Sequence, residues 1–159
     1  MVGGEYGAGL GSGYWVTGGS VTITDGTITA TGGRDGAGIG GGRDSDFGNI
    51  TVHGGTITAK AGENSAGIGS ALYGECQNIV IDGGTVDATG RQWSAAIGAG
   101  YDADCGNITI TNKVTKVTAK RDNQAYYSIG EGYSSSCGTI TIGGQVTGNI
   151  STTFYTYQP

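Results

Sequence analysis

The stretch Gly48-Asn49-Ile50-Thr51-Val52-His53-Gly54-Gly55-Thr56-Ile57-Thr58-Ala59, followed by Ser65-Ala66-Gly67-Ile68-Gly69, decides the fold, because nearly everything else in the chain is another copy of it. Its first part returns as Ser20-Val21-Thr22-Ile23-Thr24-Asp25-Gly26-Thr27-Ile28-Thr29-Ala30 and as Asn78-Ile79-Val80-Ile81-Asp82-Gly83-Gly84-Thr85-Val86-Asp87-Ala88. Two further copies open at Asn107-Ile108-Thr109-Ile110 and Thr139-Ile140-Thr141-Ile142. Ser20, Asn49, Asn78 and Asn107 are spaced by 29 residues, and Thr139 follows 32 later. In the second part, Leu10, Ile39, Ile68, Ile97 and Ile129 take the same series of steps. The three additional residues of the fourth unit therefore fall between Asn107 and Ile129, and we place them at 112–115 and 120–124. A fixed period of this length marks a solenoid, in which each unit is one coil.

Each unit holds three short runs in which apolar and polar residues alternate. Ile50 and Val52 alternate with Thr51 and His53, Ile57 and Ala59 with Thr56, Thr58 and Lys60, and Ala66 and Ile68 with Gly67 and Gly69. Period-2 alternation bounded by glycine reads as half-buried strand. Equivalent strands of successive coils then stack in parallel, roughly 4.8 Å apart. Their inward residues form four ladders, led by Val21, Ile23, Ile28 and Leu10. No unit buries its apolar face alone, but a stack of five encloses a continuous thin core. The expectation is an all-β protein, a right-handed parallel β-helix of about five coils with three short strands per coil. The 159 residues form one domain, with units at about 1–19, 20–48, 49–77, 78–106, 107–138 and 139–159.

The 35 glycines fit a turn-dense repeat, and the strict register argues against a disordered glycine-rich linker. Net charge is −5 and the few Lys and Arg do not cluster, so nucleic acid is not an expected partner. No transmembrane run appears, so membrane insertion is not expected either. The repeat is already under way at Tyr6-Gly7-Ala8-Gly9-Leu10, which reads as a segment of a longer protein. The third run places Gly38, Gly67, Gly40, Gly69 and Gly98 outward. Either the coil is too narrow there for side chains, or a flat glycine-lined face docks on another surface. Neither solenoid end shows an obvious polar cap, so self-association through the ends is a second route, although the tail from Ser151 to Tyr157 has the composition of a further strand.

The chemistry-bearing residues are few. Cys76, Cys105 and Cys137 recur at one repeat position where Phe47 stands a unit earlier, so they read as a ladder of buried thiols. The lone histidine, His53, faces outward on a strand and reads as a solvated residue. Asp82 and Asp87 stand in the middle unit without a visible nucleophile or base, and the chain reads as non-catalytic. Asp44-Ser45-Asp46 and Asp102-Ala103-Asp104 lie in the corner before the first strand, with Glu75 in the unit between. They are either polar turns or ligands for calcium, a hard cation that needs six or more oxygens; no other cofactor is indicated. The same corner collects Tyr14, Trp15, Tyr73, Tyr101 and Tyr133, and Tyr14, Tyr101 and Tyr133 follow their Leu or Ile anchor by four residues. Arg43 and Leu72 hold that position elsewhere. The rings either cover the edge of a narrow core or offer amphipathic area to sugars or proteins. Trp93, Tyr126 and Tyr127 mark a second patch between the second and third strands. Outward threonines in rows, such as Thr29 and Thr58, also allow an ice-binding face, although His53, Val80, Asp82, Asp87 and three lysines break the rows.

The pattern kept in Cys105-Gly106-Asn107-Ile108-Thr109-Ile110 and in Gly36-Ala37-Gly38-Ile39-Gly40-Gly41-Gly42 resembles the glycine-rich repeats of large cell-surface proteins of gut-type anaerobic bacteria, over about residues 6–145. The resemblance implies an extracellular or wall-attached, adhesin-like protein, sometimes described as carbohydrate-binding. It transfers no site residue. The fourth unit departs from it at Asn112-Lys113, where the Gly-Gly corner is lost. The functional expectation is a structural and adhesive repeat segment, with a glycan or a host surface protein as partner; the alternatives are a carbohydrate-binding module and an ice-binding protein.

Overall fold

The computed structural model describes residues 1–159 and contains strands and turns but no helix. A representative coil runs through Asp46–Phe47, Ile50–Val52, Thr56–Lys60 and Ile68–Gly69. Every one of these strands pairs in parallel with its counterpart one coil away, without slippage: Val21 with Ile50, Ile50 with Ile79, Ile79 with Ile108 and Ile108 with Ile140. The ladders starting at Ile23, Ile28 and Leu10 are likewise in register. The reason is side-chain parity. A slip of one residue would turn every isoleucine to solvent and every threonine into the core.

Four sheets result rather than three. The additional one is built from two-residue strands, Asp46–Phe47, Glu75–Cys76, Asp104–Cys105 and Ser136–Cys137. Their inward residues, Phe47 and the cysteines, pack in the core with the isoleucines. The inserted residues of the fourth coil are resolved by the register. Ile108 pairs 29 residues back with Ile79, Lys116 pairs 31 back with Thr85, and Ile129 pairs 32 back with Ile97. Two of the three therefore sit in the corner that lost its Gly-Gly pair, and the third in the loop after Lys120.

The glycines of the third run do not line an open face. Gly38, Gly40, Gly67, Gly69 and Gly98 are all buried. A Cβ on Gly38 would come within 2.7 Å of the Lys60 backbone nitrogen, so this part of the coil packs backbone against backbone. Of the two readings of these glycines, the packing supports the narrow coil, which is pinched there. Narrowness explains the composition.

The residues that set the repeat register form a hydrogen-bonded ladder of their own. The Ser20 hydroxyl accepts from the Asn49 N–H at 3.1 Å, the Asn49 amide oxygen from the Asn78 N–H at 3.1 Å, and the Asn78 oxygen from the Asn107 N–H at 3.1 Å. The Asn107 oxygen accepts from the Thr139 N–H at 2.8 Å. Each side chain thus ties its coil to the next at an exposed corner. Asn78→Ala should cost about 1 kcal/mol, the net worth of one such bond. The expected readout is a lower urea midpoint at unchanged m; an unchanged midpoint would show that the ladder follows from the stack without stabilising it.

The two ends differ. The last coil turns back on itself: Gln145–Thr147 pairs antiparallel with Ile140–Ile142, Ile150 bridges Ile129, and Phe154–Tyr157 pairs antiparallel with Lys116–Lys120. Tyr155 and Tyr157 pack against the core from that strand. The tail therefore adds the strand its composition predicted and closes this end. At the other end Leu10–Gly11 and Val21–Ile23 are edge strands, each paired on one side only.

Candidate functional site

Five residues after each third-strand anchor, the chain turns through a left-handed backbone at a residue other than glycine. These are Trp15 (φ 56°), Asp44 (53°), Tyr73 (58°), Asp102 (49°) and Ser134 (54°). Such conformations are uncommon for side-chain-bearing residues and cost of order 1–3 kcal/mol each. Hydrogen bonds between coils hold them. The Trp15 N–H donates to the Arg43 carbonyl at 3.0 Å, Asp44 to Leu72 at 2.9 Å, Tyr73 to Tyr101 at 3.2 Å and Asp102 to Tyr133 at 2.9 Å. The corner is a stack of near-identical turns, and whatever side chain it carries is repeated at the spacing of the coils.

A second set of bonds brings the neighbouring corner alongside. The Arg43 N–H donates to the Tyr6 carbonyl at 2.8 Å, Tyr101 to Asn64 at 3.1 Å and Tyr133 to Trp93 at 2.6 Å. The two corners flanking the pinched third strand are thus fastened to one another. The two aromatic patches expected from the sequence are consequently one ridge. Tyr14 stands 5.8 Å from Trp15 and 5.4 Å from Tyr6, measured between ring centroids. The Arg43 guanidinium lies 5.3 Å from the Tyr6 ring and 5.7 Å from the Tyr73 ring, bridging the coil where the repeat supplies no aromatic residue. Tyr73 meets Tyr101 edge-on at 6.3 Å, and Tyr101 stacks on Tyr133 at 5.5 Å and 12°. Tyr126 stacks on Tyr133 at 6.1 Å and adjoins Tyr127, while Trp93 touches both Tyr133 (5.6 Å) and Tyr126 (6.3 Å).

All five aromatic residues predicted for the site, Tyr14, Trp15, Tyr73, Tyr101 and Tyr133, belong to this ridge. Tyr6 and Arg43 are members that sequence reasoning missed. A signal for Tyr6 existed, since it lies three full repeats before Trp93 at the same repeat position. Leu72, which occupies the tyrosine position in the third unit, is buried, and Tyr73 takes the outward place. The rings are not folded flat over the core: Trp15 is 74% exposed and Tyr14, Tyr73, Tyr126 and Tyr133 are each 44–50% exposed. At the C-terminal end of the ridge, Trp93, Tyr101, Tyr126 and Tyr133 alone line an open cup of about 330 Å³.

The four aspartates proposed as calcium ligands do not converge. Asp44 is turned to the Arg43 guanidinium at 3.1 Å. Asp102 accepts from the Ser134 hydroxyl at 3.4 Å, and Asp104 from the Ser136 N–H and hydroxyl at 3.0 and 2.7 Å. Asp46 and Asp104 flank Glu75 in one outward row, one residue per coil. No group of three or more His, Cys, Asp or Glu side chains is close enough to share a metal ion. The physical reason is the parallel stack, which spreads equivalent carboxylates along the axis instead of gathering them around a point.

The remaining polar groups are engaged pairwise. Asp82 is met by Lys113 at 3.2 Å, Thr111 at 3.1 Å and His53 Nδ1 at 3.4 Å. The hydrogen bond from Lys113, aided by that from Thr111, holds its carboxyl below the usual carboxylate range. Asp87 faces Lys120 at 3.9 Å. The cysteine ladder is present in the core, with the Cys76 and Cys105 sulfurs 3.0 Å apart. Threonine rows exist, but in register they read Thr22-Thr51-Val80-Thr109-Thr141 and Thr29-Thr58-Asp87-Thr118, and Thr118 is covered by the antiparallel tail strand.

Residues 21–43, 50–72 and 79–101 each match the family described as a beta helix repeat. The matched segments begin at Val21, Ile50 and Ile79, the first inward residues of three consecutive coils. The chain is a parallel β-helix, and three of its coils match that repeat. Comparison with curated proteins and with solved structures returned no match. The aromatic ridge runs along the surface of the stack from Trp15 in the first coil to Tyr133 in the last.

Proposed function

We propose that this β-helix is a non-catalytic, adhesive repeat segment of a bacterial surface protein, working outside the cell, and that its aromatic ridge binds an extended glycan. The observation that carries the reading is the continuity of the ridge, an unbroken succession of exposed and partly exposed rings from Trp15 to Tyr127 with Arg43 as its only non-aromatic member. A polymer of repeating rings suits a surface that repeats a ring with each coil, because one local contact is multiplied along the axis. Sugar faces stack on Tyr and Trp, whose hydroxyl and indole N–H remain free to bond at the rim. The rigid backbone keeps the ordering cost low, since the corners are already fixed by bonds between coils. The surface and extracellular setting is supported by the resemblance of the repeat to glycine-rich bacterial surface proteins.

A glycan array probed with the intact chain and with Tyr101→Ala tests the reading. Tyr101 sits mid-ridge and touches both Tyr73 and Tyr133. Truncating a central aromatic anchor should weaken binding at least tenfold. The same array run with and without calcium separates the ridge from the aspartate corners; a calcium-dependent hit unaffected by Tyr101→Ala would move the site there. A blank array would remove the glycan and direct the search to a host surface protein.

A further inference from the structure

The cup at the C-terminal end of the ridge has a composition that sugar binding does not explain. Its walls are four aromatic rings and nothing else. Glycan sites combine rings with amide, carboxylate or hydroxyl groups that accept and donate around the sugar, whereas here only phenol and indole groups are within reach. Ring faces are negative in potential and attract cations that sit over them. The first half of the ridge uses that attraction internally, where the Arg43 guanidinium lies between the Tyr6 and Tyr73 rings. No Lys or Arg of the chain lies over Trp93, Tyr101, Tyr126 or Tyr133 in the same way; the only other such pair is Lys120 with Phe154.

Three carboxylates and two arginines surround the cup, a net balance of one negative charge. Glu131 lines the adjoining cleft together with Tyr126, Tyr127 and Tyr133. Asp102 follows Tyr101 directly and donates its N–H to the Tyr133 carbonyl. The Asp122 carboxylate accepts the N–H of Gln92, next to Trp93, at 2.7 Å. Two arginines are near. Arg121 is committed to the carbonyl oxygens of Ser151, Asp122 and Ala125, and Arg91 is exposed two residues before Trp93.

We propose that this cup binds a quaternary ammonium group, a trimethylammonium head of the choline type. The choice between a primary and a quaternary ammonium follows from the lining. A primary ammonium must replace three donated hydrogen bonds to water, and the lining side chains offer no carboxylate or amide to accept them, only the phenol oxygens at the ring edges. A methylated ammonium donates none, so rings and long-range negative charge suffice to hold it. The assignment rests on the reading of the ridge as a binding surface and specifies the chemistry of its C-terminal end.

The test is isothermal titration of the full chain with choline chloride, against sodium chloride at the same concentration as blank. Its neutral isostere, 3,3-dimethylbutan-1-ol, is titrated in parallel. The expected result is saturable choline binding in the millimolar range, with the isostere weaker by about tenfold or more. Tyr126→Leu, at a ring 50% exposed, and Trp93→Ala should each weaken choline severalfold. The urea midpoint of Tyr126→Leu, measured alongside, shows that the loss is local. Equal binding of the isostere, or no saturable binding of choline, overturns the assignment. So does full choline affinity in both variants. Phosphatidylcholine vesicles and a phosphocholine-substituted glycan then distinguish the sources of the head group: capture that choline competes away assigns the source, and capture that choline leaves unchanged counts against the cup. Choline failing while the glycan array still reports Tyr101-dependent hits would sink the cup alone; choline binding with a blank array would sink the glycan alone.

Discussion

Replacing Gly69 by alanine is expected to unfold the β-helix under conditions where the parent is fully folded. Gly69 has φ 139°, a backbone that side chains rarely adopt. Its Cβ would meet the Gly98 carbonyl oxygen far inside the 3.0 Å that real Cβ contacts essentially never breach. The obstructing atom is backbone, and it belongs to a strand paired in register with Gly69 itself. Relief requires the two coils to part. Parting separates Ile68 from Ile97 on one ladder and strains the Asn78–Asn107 bond at the corner. In a solenoid, stability is close to a sum of terms between nearest neighbours, so loss of one interface divides the molecule into two shorter stacks. A cost of about 4 kcal/mol is reasonable for backbone strain combined with lost core packing, against the 5–15 kcal/mol that folded domains have in total. Thermal unfolding followed by circular dichroism reads it directly. Gly148→Ala is the control, since a Cβ there meets nothing within 4 Å and the backbone is ordinary. If Gly69→Ala melts with the parent, the rungs do not stack as described.

The second large effect concerns the thiols. Cys137 should be the only cysteine of the native protein to react with iodoacetamide at mildly alkaline pH, with one equivalent taken up before denaturant and three after. Cys76 and Cys105 are buried, and Cys137 is partly open. The acidities of Cys105 and Cys137 separate in the same direction. Hydrogen bonding within the ladder, to Cys137 first and then Cys76, together with burial, pushes the Cys105 thiol well above its ordinary value. The hydrogen bond from Cys105 draws Cys137 below its own. The thiolate is the reacting species, so as pH rises Cys137 ionises first while Cys105 stays protonated. The buried pair reacts only when coils open, which at ordinary stabilities suppresses its rate by about a thousandfold or more. Cys137→Ser should abolish native labelling altogether. Rapid uptake of three equivalents by the folded protein would show that the ladder is not sealed in the core.

The architecture was legible because the information is redundant. Each isoleucine of a ladder repeats the parity of the last, and a 29-residue step repeated at two independent anchor sets leaves one register. What escaped has specific causes. Two-residue strands such as Glu75–Cys76 are too short to show alternation, so the fourth sheet left no pattern. The outward reading of Gly38 and Gly67 assumed a flat strand, whereas the pinch turns both against neighbouring backbone. The tyrosines at 14, 101 and 133 were visible as one repeat position. Their union with Tyr6, Trp93 and Tyr126 was not, because it depends on the short third strand bringing two corners together. Arg43 was seen only as a gap in the tyrosine row; its place between two rings is a fact of three dimensions. Of the two readings of the aspartate corners, the geometry favours polar turns: Asp44 is turned to Arg43, and Asp102 and Asp104 accept from Ser134 and Ser136 of the next coil.

The reversed tail gives the order of synthesis a meaning. A chain emerging from its N-terminus can stack each coil as soon as it appears, because every coil needs only the one before it. Throughout that period the newest coil presents bare backbone donors and acceptors, the feature by which sheets recruit other chains. The residues that retire this edge, 145–147 and 154–157, follow the last coil directly and are made straight after it. Running the opposite way, they accept pairing from the rung below and offer a nascent copy no parallel template above it. Exposure to misassembly at this end thus ceases when the tail folds back.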